Sequence, residues 1–475
     1  MATKGDGAYA ANITGAKKLE EVESLMQQLR QDLKDSHLLP HQRNAALEQI
    51  KIYGRNVDCA DPIFTPSGIE TLARHGFLNS NTTTSREALR SLANALLLQP
   101  QTRQIFVDLG FADKAAERLK VDNRDDEFLA SRILFLLTYE TNLDFDKLVK
   151  ENNLVDTIIQ NISRHSKRYS RGNRRGSNIA PMDDMSLSET LKLMFNLTHF
   201  YPDYVDSLSK TIPQLFKILV RIKPPQKPLQ PPVCYLVNAL LNLDLEGKNC
   251  GHFGSSPVFP KFDQKCNAEH LIDILDRCIE AYDENDLDQH AAPLITLIRR
   301  IYEFAPEGVR KFMQWLLLPT EDERNQPLGK SDTLSSRLLN LSTSALLPTL
   351  RGSISSMLFE LSDKDAESFV RNVGYGFASG FLMSHNIAVP ETAMDAYSSR
   401  DEEIKGRDLN NFNPITGQRY DAEPPDMGPE MTEEEKEREA ERLFVLFERL
   451  KATGVVNVKN PVEQALDEGR FEELD

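Results

Sequence analysis

Apolar positions along the chain follow the spacing of helices that bury one face. Leu89, Leu92, Ala93, Leu96 and Leu97 recur at intervals of three and four residues, which is the repeat of an α-helix. Stretches in which apolar and polar residues alternate, as they do in strands, are sparse. The pattern therefore predicts an all-α protein.

One helical phrase recurs along the chain. It consists of an apolar helix, a polar or proline-containing break and the start of a second helix, and residues 94–100 are its clearest copy. Further copies begin at Leu136, Asn196, Asn238, Arg300 and Met357. The steps between copies are 42, 60, 42, 62 and 57 residues, and the short steps match the armadillo and HEAT period of about 40–47 residues.

Repeats of this kind bury their apolar faces only by stacking. We predict an armadillo/HEAT-like α-solenoid over residues 1–384, a right-handed superhelix of about eight or nine units with a concave binding groove. The long steps require insertions, and three polar stretches supply them: 164–184, which is basic and expected to be flexible, 248–265 and 319–332. A non-repetitive all-α domain is the alternative.

The C-terminal part departs from the repeat pattern. Residues 385–430 are polar and irregular and are predicted to be a linker. In residues 431–475, Thr432 and Glu435 form a capping box. The predicted amphipathic helix that follows docks either on the solenoid or on a partner. Its apolar side carries Leu443, Phe444, Phe447 and Leu450.

Charge and composition narrow the class of protein. The net charge of −16 argues against nucleic acid as the main ligand, because phosphate binding requires clustered cations. Five scattered cysteines without a CxxC pair indicate a reducing compartment. No apolar run approaches the roughly 18–20 residues of a membrane span. We expect a cytoplasmic monomer that reaches the plasma membrane, if at all, through its partner.

A search for catalytic chemistry finds little. Gly329-Lys330-Ser331 resembles the end of a phosphate-binding loop, but Arg324 stands where that loop needs its first glycine. The glycines from Gly374 to Gly380 are better explained as the turn into a last repeat helix. No spacing fits a metal site, and no cofactor is expected. The sequence therefore favours a binding protein over an enzyme.

Four stretches of the chain resemble the synembryn family, armadillo-type exchange factors and chaperones for heterotrimeric G-protein α subunits. They are residues 369–380, the Asn-Pro-x-Thr-Gly motif at 413–417, residues 427–450 with Met-Thr-Glu-Glu at 431–434, and the weaker repeat opening at 92–94. The resemblance implies that the groove captures the C-terminal helix of the α subunit. GDP then leaves, and the empty subunit stays folded until GTP enters.

The resemblance also assigns residues to that groove. Lys51 and Arg55, four residues apart, match a basic pair that would bind a carboxylate such as the free C-terminus of the captured helix. Asn94, Asn196 and Asn238 would line the groove, or alternatively cap or bridge neighbouring repeats. Arg300, which opens a later copy of the phrase, is placed in the same groove.

The linker carries candidate phosphorylation sites. Ser398 and Ser399 have acidic residues three positions later, which suits an acidophilic kinase of the casein kinase type and matches sites in the family. Arg351 and Arg371 are candidate docking partners for the phosphates. The alternative to the whole assignment is a solenoid scaffold or adaptor that binds linear peptides without affecting a nucleotide.

Overall fold

The fold is helical throughout the part of the chain that the computed structural model describes. That part comprises residues 13–175, 180–223, 225–247, 256–389 and 412–423, together with Arg438, Arg442 and Val445. It contains twenty α-helices and four short 3₁₀-helices and no β-strand. The prediction of an all-α fold is confirmed.

Ten helices form the N-terminal half. They are α1 (Ala16–Asp35), α2 (Pro40–Tyr53), α3 (Pro66–Leu78), α4 (Thr82–Leu98), α5 (Gln101–Asp108), α6 (Ala112–Leu119), α7 (Arg124–Leu137), α8 (Phe145–Asn152), α9 (Leu154–Arg175) and α10 (Pro181–Phe200).

Ten more complete the solenoid. They are α11 (Val205–Ser209), α12 (Ile212–Leu219), α13 (Val233–Leu241), α14 (Cys266–Ala281), α15 (Glu284–Phe304), α16 (Glu307–Leu317), α17 (Leu334–Leu341), α18 (Pro348–Leu361), α19 (Ala366–Val373) and α20 (Tyr375–Ser384). The 3₁₀-helices are Asp61–Phe64, Pro202–Tyr204, Asp322–Asn325 and Tyr420–Ala422.

The helices pack as successive pairs. Eight pairs are present in the described residues: α1 with α2, α3 with α4, α6 with α7, α9 with α10, α12 with α13, α14 with α15, α17 with α18 and α19 with α20. The second helices of the pairs also contact one another in sequence, from α2 through α4, α7, α10, α13 and α15 to α18. We call these seven helices the anchor layer, because all six copies of the recurring phrase begin on it.

Local sequence signals start many of these helices. Proline occupies the first position of α2, α3, α10 and α18, where its missing N–H costs no helical hydrogen bond. Elsewhere a side chain caps the helix: the Asn123 amide oxygen accepts from the backbone N–H groups of Asp125 and Asp126 at the start of α7. One continuous apolar core then runs from Val22 to Leu382, as stacked repeats require.

The basic stretch from residue 164 is helical rather than a flexible insert. The helix α9 continues to Arg175, and α10 begins at Pro181. A buried stripe of Ile158, Ile162, His165 and Tyr169 runs through α9, with arginines between its members. The Arg168 guanidinium lies 2.5 Å from an Asp122 carboxylate oxygen. The prediction of a flexible insert is wrong here, because the arginines obscured the apolar residues that recur at helical spacing.

The chain divides into two compact units, Met1–Gln418 and Arg419–Asp475. The last helix, α20, ends at Ser384, where the predicted solenoid ends, and the first unit continues beyond it to Gln418. Residues 412–418, which fall inside the predicted linker, pack against α20 and the segment before α17. Of the predicted C-terminal helix the structure describes only Arg438, Arg442 and Val445, all helical and exposed.

Candidate protein-binding surface

A chain of ion pairs crosses the first three helices of the anchor layer. The Lys51 ammonium lies 2.6 Å from a Glu87 carboxylate oxygen, which joins α2 to α4. Arg90 contacts both Glu87 and Asp125, the latter at 2.9 Å, which joins α4 to α7. Burial alone would raise the pKa of Glu87, but the hydrogen bond from Lys51 and the charge of Arg90 together hold it below its usual value.

A second charged group joins α7 to α10. Arg132 and Lys192 donate to the same oxygen of Glu189, at 3.2 and 2.6 Å, while the carboxylate itself is buried. The Lys192 ammonium also lies 5.5 Å from the ring centroid of Tyr235 on α13, a favourable cation–π distance. Since Asp125 and Arg132 are seven residues apart on α7, the two charged groups lie on the same side of that helix.

These contacts define one largely half-buried surface of the anchor layer, which we call the anchor face. It contains Lys51, Glu87, Arg90, Asn94, Asp125, Phe128, Arg132, Phe135, Tyr139, Glu189, Lys192, Phe200, Tyr235 and Asn238. Between α7, α10 and the start of α13 it opens into a cleft of about 370 Å³ lined by Phe128, Arg132, Glu189 and Tyr235 among others. Aromatic walls and partly free guanidinium and ammonium donors are the groups that bind helices and carboxylates.

Aromatic side chains remain exposed along this face. Tyr139, which follows α7, is 37% exposed, and Phe200 at the end of α10 is 47% exposed. Their ring centroids lie 6.3 Å apart in an edge-to-face arrangement, and the Arg103 guanidinium lies 5.9 Å from the Tyr139 ring. Exposed aromatic groups beside cations are typical of the residues that dominate protein–protein affinity.

The three predicted groove asparagines differ in their surroundings. Asn94 and Asn238 are half-buried on the anchor face, and neither side chain has a hydrogen-bond partner among the described residues. Asn196 is 4% exposed and donates to the Thr138 hydroxyl at 2.7 Å. Asn196 thus bridges α10 to the end of α7, which is the alternative role foreseen for these residues.

Lys51 and Arg55 do not form the expected pair on one helical turn. The helix α2 ends at Tyr53, Gly54 follows as its cap, and Arg55 lies exposed in the turn beyond. The carboxylate that Lys51 binds is Glu87, within this chain. A partner carboxylate at Lys51 would therefore compete with an internal one.

Arg300 stabilises the repeat architecture. Its guanidinium donates to the backbone carbonyl oxygens of Leu241 and Leu243, the latter at 3.3 Å. The Leu241 carbonyl belongs to the last residue of α13, which has no further helical turn to satisfy it, and Leu243 lies two residues beyond. The sequence placed Arg300 in the groove, whereas its contacts hold α15 against α13.

The predicted phosphate-docking arginines lie near the end of the solenoid. Arg351 on α18 and Arg371 on α19 are both exposed, and Arg351 approaches the Ser344 carbonyl oxygen at 3.5 Å. Ser398 and Ser399 lie outside the described residues. So do Leu443, Phe444, Phe447 and Leu450.

Residues 412–418 form a clasp on the last helix pair. The Asn413 side-chain oxygen accepts from the Ile415 N–H at 2.9 Å and closes a tight turn. The carbonyls of Pro414 and Ile415 then accept from the N–H groups of Tyr375 and Gly376, at 2.7 and 3.1 Å. These N–H groups belong to the first turn of α20, which would otherwise leave them unpaired.

A buried arginine holds the other side of the clasp. Arg324 is 5% exposed and donates to the carbonyls of Gly417 at 3.1 Å and Asn372 at 3.0 Å. Its guanidinium lies 4.6 Å from the ring centroid of Phe412. Burial lowers the pKa of Arg324, although Glu321 and Glu323 oppose that effect. The sequence identified the motif at 413–417 but not its docking, because nothing local reveals a contact with residue 324.

Metal sites and membrane-spanning helices are both absent from the described ranges. No group of three or more histidine, cysteine or acidic side chains there is arranged to hold a metal ion. No helix there combines the length and the apolar character needed to cross a bilayer.

The sequence is similar to those of several known proteins. The chain is 26% identical to the chaperone Ric-8A of Xenopus tropicalis over 92% of this chain and 86% of that one. It is 24% identical to the chaperone Ric-8A of Bos taurus over 88% of this chain and 83% of that one. A synembryn-like chaperone of Schizosaccharomyces pombe is 31% identical over 37% of this chain and 34% of its own length.

A solved structure of an engineered protein aligns with 59% of this chain and 97% of its own, at a TM-score of 0.37 and 12% identity. The sequence profile described as guanine nucleotide exchange factor synembryn (Ric8) matches residues 46–470. The chain therefore belongs to the synembryn family.

Proposed function

We propose that this chain promotes GDP release from a heterotrimeric G-protein α subunit and keeps the nucleotide-free subunit folded. The family description and the chaperone names of its relatives support the class of activity. The anchor face supports the mode of binding, because it carries cations and exposed aromatic rings along successive helices. That face would receive the C-terminal helix of the α subunit.

The anchor face suits an amphipathic helix better than an extended acidic chain. Its cations are partly neutralised by Glu87 and Glu189, so a strongly acidic peptide gains little. Tyr139 and Phe200 instead offer apolar contact area, and Arg132 has N–H groups beyond the one it donates to Glu189. A helix with one apolar side and a carboxylate would satisfy both.

Exchange requires unequal binding of two states. If the anchor face bound the C-terminal helix equally well in the closed and open α subunit, the equilibrium between them would not move. Binding must therefore use surfaces of the helix that the closed α subunit covers. Removing the helix from its domain would weaken the GDP site, and no covalent step is needed.

The test is the rate of GDP release from a purified α subunit with and without this protein. Tyr139→Ala and Phe200→Ala remove exposed rings of the anchor face without opening the core, and each should weaken binding by about tenfold if the ring is a hot spot. Leu78→Ala is the matched control, since Leu78 is 55% exposed at the end of α3 in the other layer.

Two truncations distinguish the role of the C-terminal tail, the residues after Glu423, from the role of the clasp. A chain that ends at Glu423 keeps residues 412–418 on α20, whereas a chain that ends at Val389 removes them and leaves Arg324 without two of its contacts. Loss of exchange in the first truncation assigns the tail a direct role. Undiminished exchange in both truncations places the activity in the anchor face.

Binding of the isolated C-terminal peptide without faster GDP release from the intact subunit would contradict the exchange proposal. The chain would then be a holding chaperone or a peptide adaptor.

A further inference from the structure

Two aromatic side chains protrude from the surface near the start of α14 and from α16. Phe262 is 85% exposed in the loop before α14, and Trp315 is 63% exposed on α16. Trp315 is the only tryptophan of the chain. Side chains of this size are seldom so exposed on a surface that contacts only water.

Contacts between the start of α14 and α16 bring Lys265, Phe312 and Trp315 into one patch. The Lys265 ammonium lies 4.8 Å from the ring centroid of Phe312. The Phe312 ring stacks with that of Trp315 at 6.1 Å, and Phe262 lies only three residues before Lys265. We call Lys261, Phe262, Lys265, Phe312 and Trp315 the aromatic–lysine patch.

The charges of the patch are positive on balance. Lys261 and Lys265 are exposed, and Asp263 between them accepts the backbone N–H of Lys265 at 3.0 Å. On α16, Lys311 pairs with Glu307 at 2.6 Å, but both side chains are more than two-thirds exposed, at 71% and 81%. Such an exposed pair is weak and its two charges cancel, so the net positive charge of the patch comes from Lys261 and Lys265 against Asp263.

We infer that the aromatic–lysine patch binds an anionic membrane surface. Tryptophan and phenylalanine insert at the level of lipid headgroups, while lysine keeps its ammonium at the anionic phosphates and its stem in the apolar layer. The projecting Phe262 needs no matching pocket in a bilayer. A protein interface is the less favoured occupant, because lysine is depleted from the central part of such interfaces.

This attachment is expected to be weak by itself. Surface lysines attract anionic lipid modestly, and the chain as a whole carries a charge of −16 that opposes it. A weak attachment still contributes strongly when another contact already holds the protein at the membrane, because the second binding event becomes intramolecular. The inference does not depend on the proposed exchange activity.

Trp315 itself supplies the assay. The full chain is titrated with vesicles of phosphatidylcholine alone and of phosphatidylcholine with phosphatidylserine, and the tryptophan emission is followed. We expect a blue shift, and quenching by brominated lipid, only with phosphatidylserine. Salt should reverse the shift, since exposed charges are screened within about 10 Å at 0.1 M ionic strength.

Substitutions distinguish vesicle binding through the patch from nonspecific adsorption through any exposed apolar side chain. Lys261→Glu and Phe262→Ser should each lower partitioning, the former by about fivefold or more from the loss of one surface lysine. Leu346→Ser is the matched control, because Leu346 is 74% exposed in the segment before α18.

Three outcomes overturn the inference. They are an unchanged emission spectrum with phosphatidylserine vesicles, an equal shift with phosphatidylcholine alone, and an equal loss of partitioning in Leu346→Ser.

Discussion

Gly374 is the position at which a single methyl group should open the clasp. Its backbone lies at φ 81° and ψ 147°, a region close to one that is used almost only by glycine. A Cβ added there would lie 3.0 Å from the Ile415 carbonyl oxygen and 3.3 Å from the Gly417 nitrogen. Both neighbours are backbone atoms, so they cannot rotate away.

The cost of Gly374→Ala has two parts. Holding a non-glycine residue in this backbone region costs about 1–3 kcal/mol. If the clasp moves to relieve the contact, the Tyr375 and Gly376 N–H groups lose their carbonyl partners, at about 0.5–1.5 kcal/mol each. The two parts sum to a fall of roughly 2–6 kcal/mol in the free energy of opening the α19–α20 pair.

Gly380→Ala is the matched control on the same helix. A Cβ at Gly380 meets no atom within 4 Å, and its φ is not positive. Because alanine favours a helix over glycine, this change should stabilise α20 by about 0.5–1 kcal/mol. The two substitutions add the same methyl group, but only at Gly374 does it meet backbone atoms and stand in a backbone region that disfavours it.

Hydrogen exchange resolves the effect, because a solenoid can open locally. Amides of α19, of α20 and of residues 412–418 should exchange faster in Gly374→Ala by about tenfold for each 1.4 kcal/mol, while α1 to α7 remain unchanged. Equal protection in Gly374→Ala and Gly380→Ala would refute the assignment of the clasp.

Three further changes test other parts of the structure. Arg324→Leu removes the donors to the carbonyls of Gly417 and Asn372. Since hydrogen bonds to charged groups contribute about 1.5–3 kcal/mol, amide hydrogen exchange in residues 412–418 should become faster. Unchanged hydrogen exchange there would contradict the role of Arg324 in holding the clasp. Asn196→Ala should lower the urea midpoint by an amount equivalent to about 1–3 kcal/mol, whereas Asn94→Ala should change it by less than ~0.5 kcal/mol and instead weaken binding of the α subunit. Burial lowers the pKa of His75 and of His270, although a hydrogen bond to a backbone carbonyl opposes the shift in each case. Because these histidines have a higher pKa in the unfolded chain, that chain binds protons first as the pH falls below about 6.5, and the folded state is destabilised. The urea midpoint should therefore be lower at pH 5.5 than at pH 7.5, and a higher midpoint at pH 5.5 would contradict this reasoning.

The architecture was predictable because it depends on a repeated local pattern. An apolar helix followed by a polar break recurs often enough to identify stacked pairs, and all six copies fall on the anchor layer. The path of α9 was not predictable, since arginines interrupt its buried stripe of isoleucine, histidine and tyrosine. The clasp was not predictable either, because its partners Arg324 and Tyr375 lie far from it in sequence.

The candidate binding residues show why a repeat position does not fix a role. Asn94, Asn196 and Asn238 occupy the same place in the recurring phrase, yet only Asn196 is paired among them in the described structure. The preceding anchor helix explains the difference. At the end of α7, Thr138 offers Asn196 a hydroxyl. Among the described residues, no side chain of α2 forms a hydrogen bond with Asn94.

The same reasoning explains Asn238. The preceding helix α10 does carry a hydroxyl, on Thr198, but Asn242 donates to it at 3.3 Å and to the Phe195 carbonyl at 3.2 Å. An amide left without a partner on a half-exposed face costs little there, because water reaches it. The backbone carbonyls in the last turn of a bound helix have no intrahelical partner and would accept from these two amides, so the repeats that lack an internal partner are those expected to recognise an external one.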